Sequence, residues 1–135
     1  MTIQHSTTVR NARLDAIETA IGASPIMKLR SGSAPANCAA ARQGTVLATI
    51  NLPSDWLSAA SSGSKSKSGT WEDTSADSAG TIGHYEIMDS TDTTCHEQGT
   101  VTATSGGGDM EVDNTSVASG QTITITSYTL TEGNA

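Results

Sequence analysis

Residues 121–131, QTITITSYTLT, alternate apolar side chains with threonine more regularly than any other stretch of the chain. A period of two marks a strand with one buried face, so Ile123 and Ile125 are assigned inward and Thr122, Thr124 and Thr126 outward. Tyr128 and Leu130 continue the pattern with reversed parity. A one-residue slip moves every following side chain to the other face, so a bulge or sharp bend is expected near Ser127. Bends of this kind suit the corner of a sandwich or small barrel. Shorter alternating runs, separated by Gly and Ser at about ten-residue spacing, point the same way. The expected fold is mainly β: a small β-sandwich or jelly-roll-like barrel, with one N-terminal α-helix.

Such a fold must be built here with few large side chains. Thr, Ser, Ala and Gly make up 69 of the 135 residues, whereas Leu, Ile and Val total 20 and Phe is absent. That apolar share lies under the ~20% below which disorder is suspected, yet a net charge of -7 is mild for the length. The composition is read as excluding a large-core enzyme domain, a coiled coil and a membrane protein, and no apolar run nears the ~20 residues that span a bilayer. The opening MTIQHSTTVR has no apolar h-region, so no export signal is read. The length suits one domain, and a thin core predicts added stability from burial against partners.

Residues 1–42 carry a balance of +3 and residues 43–135 a balance of -10. A basic N-terminal segment could dock on an acidic surface, such as a neighbouring copy. The alternative is a solvated acidic face without a partner. Nucleic-acid binding is not expected, because the body lacks a basic stripe.

Along the chain, VRNARLDAIETAIG reads as a helix capped by Ser6, Thr7 or Thr8 and closed by Gly22 and Pro25. Its stripe of Leu14, Ile17 and Ile21 is narrow, so it packs onto its own subunit or the next one. Residues 1–24 are expected to form a helix or arm, and residues 25–135 the β domain. The arm supplies the candidate partner-docking residues: Arg10, Arg13, Leu14, Ile17, Ile21, Lys28 and Arg30. Strands are predicted over 25–32 and 45–53, and a loop over 34–44. SSGSKSKSG, 61–69, is a mobile loop or an edge strand guarded by lysines. HYEIMDS, 84–90, pairs as a hairpin with CHEQGTVTAT, 95–104, placing Tyr85 and Ile87 on one face and His84, Glu86 and Met88 on the other. Ser105–Gly108 is expected as a flexible tip, followed by a strand with Met110 and Val112 inward.

No catalytic constellation emerges, and the chain is expected to be a non-enzyme without a cofactor. His84 and His96 could in principle share a metal, but two imidazoles without ligand spacing read instead as exposed hairpin histidines. Asp109, Glu111 and Asp113 project from one strand face. They could hold calcium, but the EF-hand order fails, and solvent-facing acids are the simpler reading. Cys38 and Cys95 are too few for a disulfide scaffold and read as two thiols, with one long-range bridge left open. Trp56, Trp71 and Tyr85 serve as core plugs or as a sugar-stacking surface.

The blocks NARLDAIETAIG, LRSGSAPANCAAA, LPSDW, SGTWEDTSADSAGTIGHYEIMDS, QGTVTATSGGGDMEVDNTS and GQTITITSYTL resemble, in that order, a family of small tailed-bacteriophage virion structural proteins, head-associated and decoration-like. The resemblance covers most of the chain and carries no catalytic motif. It implies a virion component assembled in the bacterial cytoplasm. The role expected first is a capsid decoration, or cement, protein. Its partners would be the major capsid protein and neighbouring copies of itself, as a trimer or hexamer, with no nucleic acid or membrane. A tail or fibre component and a glycan-binding β module are the alternatives.

Overall fold

The computed structural model describes residues 2–133. Helix α1 (Thr7–Ile21) begins where the Ser6 side chain accepts a hydrogen bond from the Val9 N–H at 3.3 Å. It ends at Gly22, whose φ of 92° lies in the left-handed region that glycine tolerates, and the Gly22 N–H bonds to the Glu18 carbonyl. Leu14 and Ile21 are buried and Ile17 packs on the core, so the narrow apolar stripe is spent within the chain. The Trp56 Nε1–H donates to the Gly22 carbonyl at 3.1 Å, and the Gly63 N–H to Asn11 Oδ1 at 2.9 Å. Of the two placements expected for the helix, its own subunit or the next one, these contacts put it on its own subunit. Among the described residues, 2–6 precede it without regular structure, all exposed.

The main sheet has the order β2 (Val46–Asn51), β1 (Ile26–Ser31), β5 (Gly80–Met88), β6 (Cys95–Ala103) and β7 (Met110–Val112), and β8 (Ser116–Val117) pairs with the start of β5. The β5–β6 hairpin forms as predicted, turning over Asp89–Thr94. Asp89 Oδ1 caps this turn by accepting from the Thr93 N–H and the Thr91 hydroxyl, both at 2.9 Å. Alternation alone predicts one wet face for β5, yet His84 through Met88 are all buried. The loop over 33–44 lies across the face that carries His84 and Glu86, anchored where Gln98 Nε2 donates to the Pro35 carbonyl at 2.6 Å.

Against the other face pack two short ribbons: β3 (Ser64–Ser66) with β10 (Thr129–Thr131), and β4 (Trp71–Asp73) with β9 (Ile123–Ile125). The bend expected near Ser127 is where residues 121–131 leave one ribbon and join the other, with Tyr128 buried at the crossing. Trp56, Trp71, Tyr128 and Tyr85 form a ring column with centroid spacings of 6.1, 5.0 and 6.1 Å, joining the layers into a small β-sandwich-like fold. At ~1.5–3 kcal/mol for each fully buried large side chain, this column and its aliphatic neighbours dominate the core.

The stretch 104–109 departs from a simple hairpin tip. It folds back so that β7 runs parallel to β6, with Val101 opposite Met110 and Ala103 opposite Val112. Parallel neighbours ordinarily need a crossover of a dozen or more residues. Here glycines shorten it. A Cβ on Gly106 or Gly108 would stand 2.6 or 2.9 Å from Thr102 atoms, closer than real Cβ contacts come, and Gly107 has a φ of 81°.

Candidate functional site

Next to this return loop the surface opens into a cleft of about 360 Å³ between β7 and residues 126–129, lined by Asp109, Glu111, Asp113, Thr126 and Tyr128 among others. A second hollow of about 250 Å³ shares Asp113 and Thr126 and continues along Gln121–Thr124. The walls mix hydroxyls, amides and carboxylates with the apolar side chains of Met110, Val112 and Ile123.

Behind the cleft both tyrosines of the chain donate to one oxygen, Glu97 Oε2: Tyr85 at 2.9 Å and Tyr128 in a shorter contact. Tyr85 reaches Glu97 by lying across Gly99, its partner on β6; a Cβ there would come within 2.6 Å of the ring. Burial pushes both phenols well above their ordinary range, with the Glu97 charge reinforcing the shift, so both remain donors. Burial also raises the Glu97 carboxyl, outweighing the two phenolic hydrogen bonds. The trio ties hairpin, cleft and second layer together around one shared oxygen.

On the opposite face of the sheet, Glu86 is fully buried. Arg30 Nε donates to its Oε1 at 2.6 Å, and Arg42 Nη1 to its Oε2 at 2.9 Å. Arg42 Nη2 also donates to the carbonyls of Asn37, Cys38 and Ala40, so one guanidinium folds the covering loop around itself. His84 is buried beside them with Nδ1 2.9 Å from the Gly32 carbonyl, which corrects the reading of an exposed histidine. It lies opposite Thr100, so His84 and His96 are not brought together.

The candidate docking residues are engaged within the chain. Leu14 and Ile21 are buried and Ile17 is packed on the core, so none of the three presents itself to a neighbour. Arg10 Nη1 donates to the Glu132 carbonyl at 3.2 Å, and Arg13 pairs with the Glu132 carboxylate at 2.7 Å. Lys28 pairs with Asp92 at 2.7 Å, and Arg30 with Glu86. The basic excess of residues 1–42 therefore answers acids of the chain's own body.

Other candidates find structural roles. Asp109 Oδ2 accepts from the Thr100 N–H and hydroxyl, both at 2.9 Å, and Glu111 Oε2 from the Ser105 N–H at 2.6 Å, so two of the three alternating acids pin the return loop. Trp56 and Trp71 are 0% exposed and Tyr85 4%, which leaves no aromatic platform for a sugar. Lys65, from the stretch expected as a mobile loop or a lysine-guarded edge strand, is 3% exposed and bridges Asp15 at 2.7 Å and Glu18 at 2.9 Å on the helix. Those two bonds raise its ammonium against the opposing effect of burial. Cys38 and Cys95 are both half-buried free thiols.

Sequence reasoning missed Glu86 and Glu97. The available signal was a carboxylate inside an otherwise apolar run, as in HYEIM, which demands a partner if the strand is central. Among the described residues, no helix is long and apolar enough to cross a membrane. Compared with protein-family models, curated proteins and solved structures, the chain has no match.

Proposed function

We propose that the chain is a bacteriophage virion structural protein, and specifically a capsid decoration protein that binds and stabilises the major capsid lattice. The ordered blocks that resemble such proteins support this reading. The observation that carries it is the placement of exposed apolar surface. Among the described residues, the large hydrophobics left exposed are Ile3 at 79% and Val9 at 42%, both at the N-terminal end. Helix α1 is bolted to the body, so it holds this end at a defined position, ready for a partner surface. The contact site thus moves from Leu14, Ile17 and Ile21 to the segment ahead of them, and neighbouring copies would be bridged through the lattice. The glycan-binding reading loses its support with the burial of both indoles. No catalytic role is assigned.

The test is binding to capsids that lack this chain. The full chain should bind with a stoichiometry that scales with the lattice, and a variant lacking residues 2–5 should lose occupancy at least tenfold with unchanged circular dichroism. Unchanged occupancy of that variant would move the contact elsewhere on the body. A few copies per particle, confined to the tail, would overturn the decoration role.

A further inference from the structure

The second β layer meets the main sheet at two edges, and the two seams differ. At the β2 edge the seam is stitched. The Asp77 N–H donates to the Leu47 carbonyl at 2.8 Å, the Thr49 N–H to Asp73 Oδ2 at 2.9 Å, and the Thr49 hydroxyl to Asp77 Oδ2 at 2.8 Å. At the β7 edge the seam is open. Among the described residues, β7 has β6 as its one neighbouring strand, and β9 has β4. The Val112 carbonyl accepts from the Thr104 N–H on the β6 side, so the backbone groups of Glu111 point the other way. The Gln121 carbonyl accepts from the Ala76 N–H just past β4, and the same alternation turns the groups of Thr122 and Thr124 away from β4. Between these edges lie the hollows of about 360 and 250 Å³, joined at Asp113 and Thr126.

We propose that the open seam between β7 and β9 is a docking groove for an extended segment of a partner protein, one that alternates basic and apolar residues and adds as a strand. Backbone donors and acceptors on the two walls supply the pairing, as in β-augmentation. Met110, Val112 and Ile123 offer apolar contact to every second side chain, and Asp109, Glu111 and Asp113 offer charge to the others. Neither hollow is lined by a lysine or an arginine. Charge complementarity therefore selects a basic segment and rejects an acidic one. It also disfavours a second copy of this chain, because pairing β7 with β7 sets like charges against each other. Exposed strand edges are ordinarily blocked by covering segments or lysines. The β2 edge is covered in this way, whereas the β7 edge is left open and acidic.

The inference stands apart from the virion reading and uses no residue ahead of the helix. Loss of the groove leaves the N-terminal contact in place, and loss of that contact leaves the groove.

The experiment titrates the full chain at low salt with the end-capped peptide Lys-Val-Lys-Val-Lys-Val, about 20 Å long when extended. Glu-Val-Glu-Val-Glu-Val is the control. Fluorescence anisotropy of labelled peptide should show the basic peptide binding once per chain. Amide hydrogen exchange at Glu111 and Thr124 should slow about tenfold on binding. Asp113→Lys and Thr126→Trp, at exposed positions shared by the two hollows, should each weaken binding about tenfold with unchanged circular dichroism. The first acts by charge and the second by filling the groove. No binding of the basic peptide, equal binding of the acidic one, binding without amide protection, or full binding to Thr126→Trp would each overturn the proposal. Self-association of the chain that these two variants abolish would put a second copy in the seam and overturn it as well.

Discussion

The two faces of β5 over residues 84–88 are both closed to water, but by opposite means. One is covered by the second β layer, where Met27, Leu29, Ile50 and Ile87 lie against the Trp56–Trp71–Tyr128–Tyr85 column. The other is covered by a loop without regular structure, where Glu86 is met by Arg30 and Arg42 and the loop carbonyls wrap the Arg42 guanidinium. Apolar contact is non-directional and tolerates small readjustments. A buried carboxylate between two guanidinium groups depends on geometry, and removing one member strands the others. A chain short of large side chains can therefore bury the second face of its central strand without them, but that cover is brittle.

The largest effect should come from the apolar face. Trp71→Ala removes a wholly buried ring from the middle of the column, and a loss of about 3–5 kcal/mol is expected in urea unfolding. Next, on the charged face, Glu86→Ala leaves Arg30 and Arg42 without their carboxylate, at a cost of about 3 kcal/mol. The decisive comparison is the triple replacement of Glu86 by Leu with Arg30 and Arg42 by Met. If charge geometry makes this face brittle, the triple variant should sit within about 1 kcal/mol of the parent. A triple variant as unstable as Glu86→Ala would show that apolar packing cannot substitute there.

Gly99→Ala should cost about 2 kcal/mol, because its Cβ would displace the Tyr85 ring from the path to Glu97. Tyrosine fluorescence and the midpoint of unfolding would report this together. The same variant should shift the protonation of Glu97.

The smallest effects are those of pH, and they carry opposite signs. The Asp89 carboxyl is held below its ordinary 3.8, first by the Thr93 N–H and then by neighbouring hydroxyls. Its contribution is present above that value and is lost as pH falls through the lower folded one. Asp15 behaves alike, held down chiefly by its hydrogen bond to Lys65. Glu97 runs the other way. Burial raises it above 4.5, so its contribution is full below that value and fades as pH rises through the folded one. Denaturant midpoints measured from acid to neutral pH should show a rising limb from the aspartates. Glu97→Gln should remove only the opposing decline at higher pH.

Several elements were legible in the residues alone. The helix with its Ser6 cap and Gly22 stop, the β5–β6 hairpin, the inward Met110 and Val112, and the break near Ser127 all follow from local rules. Capping, periodicity and parity act between neighbours, so they can be read without knowing what lies across the fold. The internal partners of the candidate docking set were not legible, because a basic excess and an apolar stripe look the same whether they face another molecule or the chain's own acids and core. Only tertiary structure placed Glu132 against Arg10 and Arg13, and Lys65 beneath Asp15 and Glu18.

By itself the sequence determined a mainly β chain with one N-terminal helix and a thin apolar core, because periodicity and composition are properties of the strand and not of its surroundings. The tertiary structure decided that both faces of β5 are buried over residues 84–88, that SGGGD turns β7 parallel to β6, and that two tyrosines share Glu97. Each of these joins residues whose mutual distance is set by the path of the whole chain. Alternation tells which side chains share a face, but what covers that face is a non-local fact.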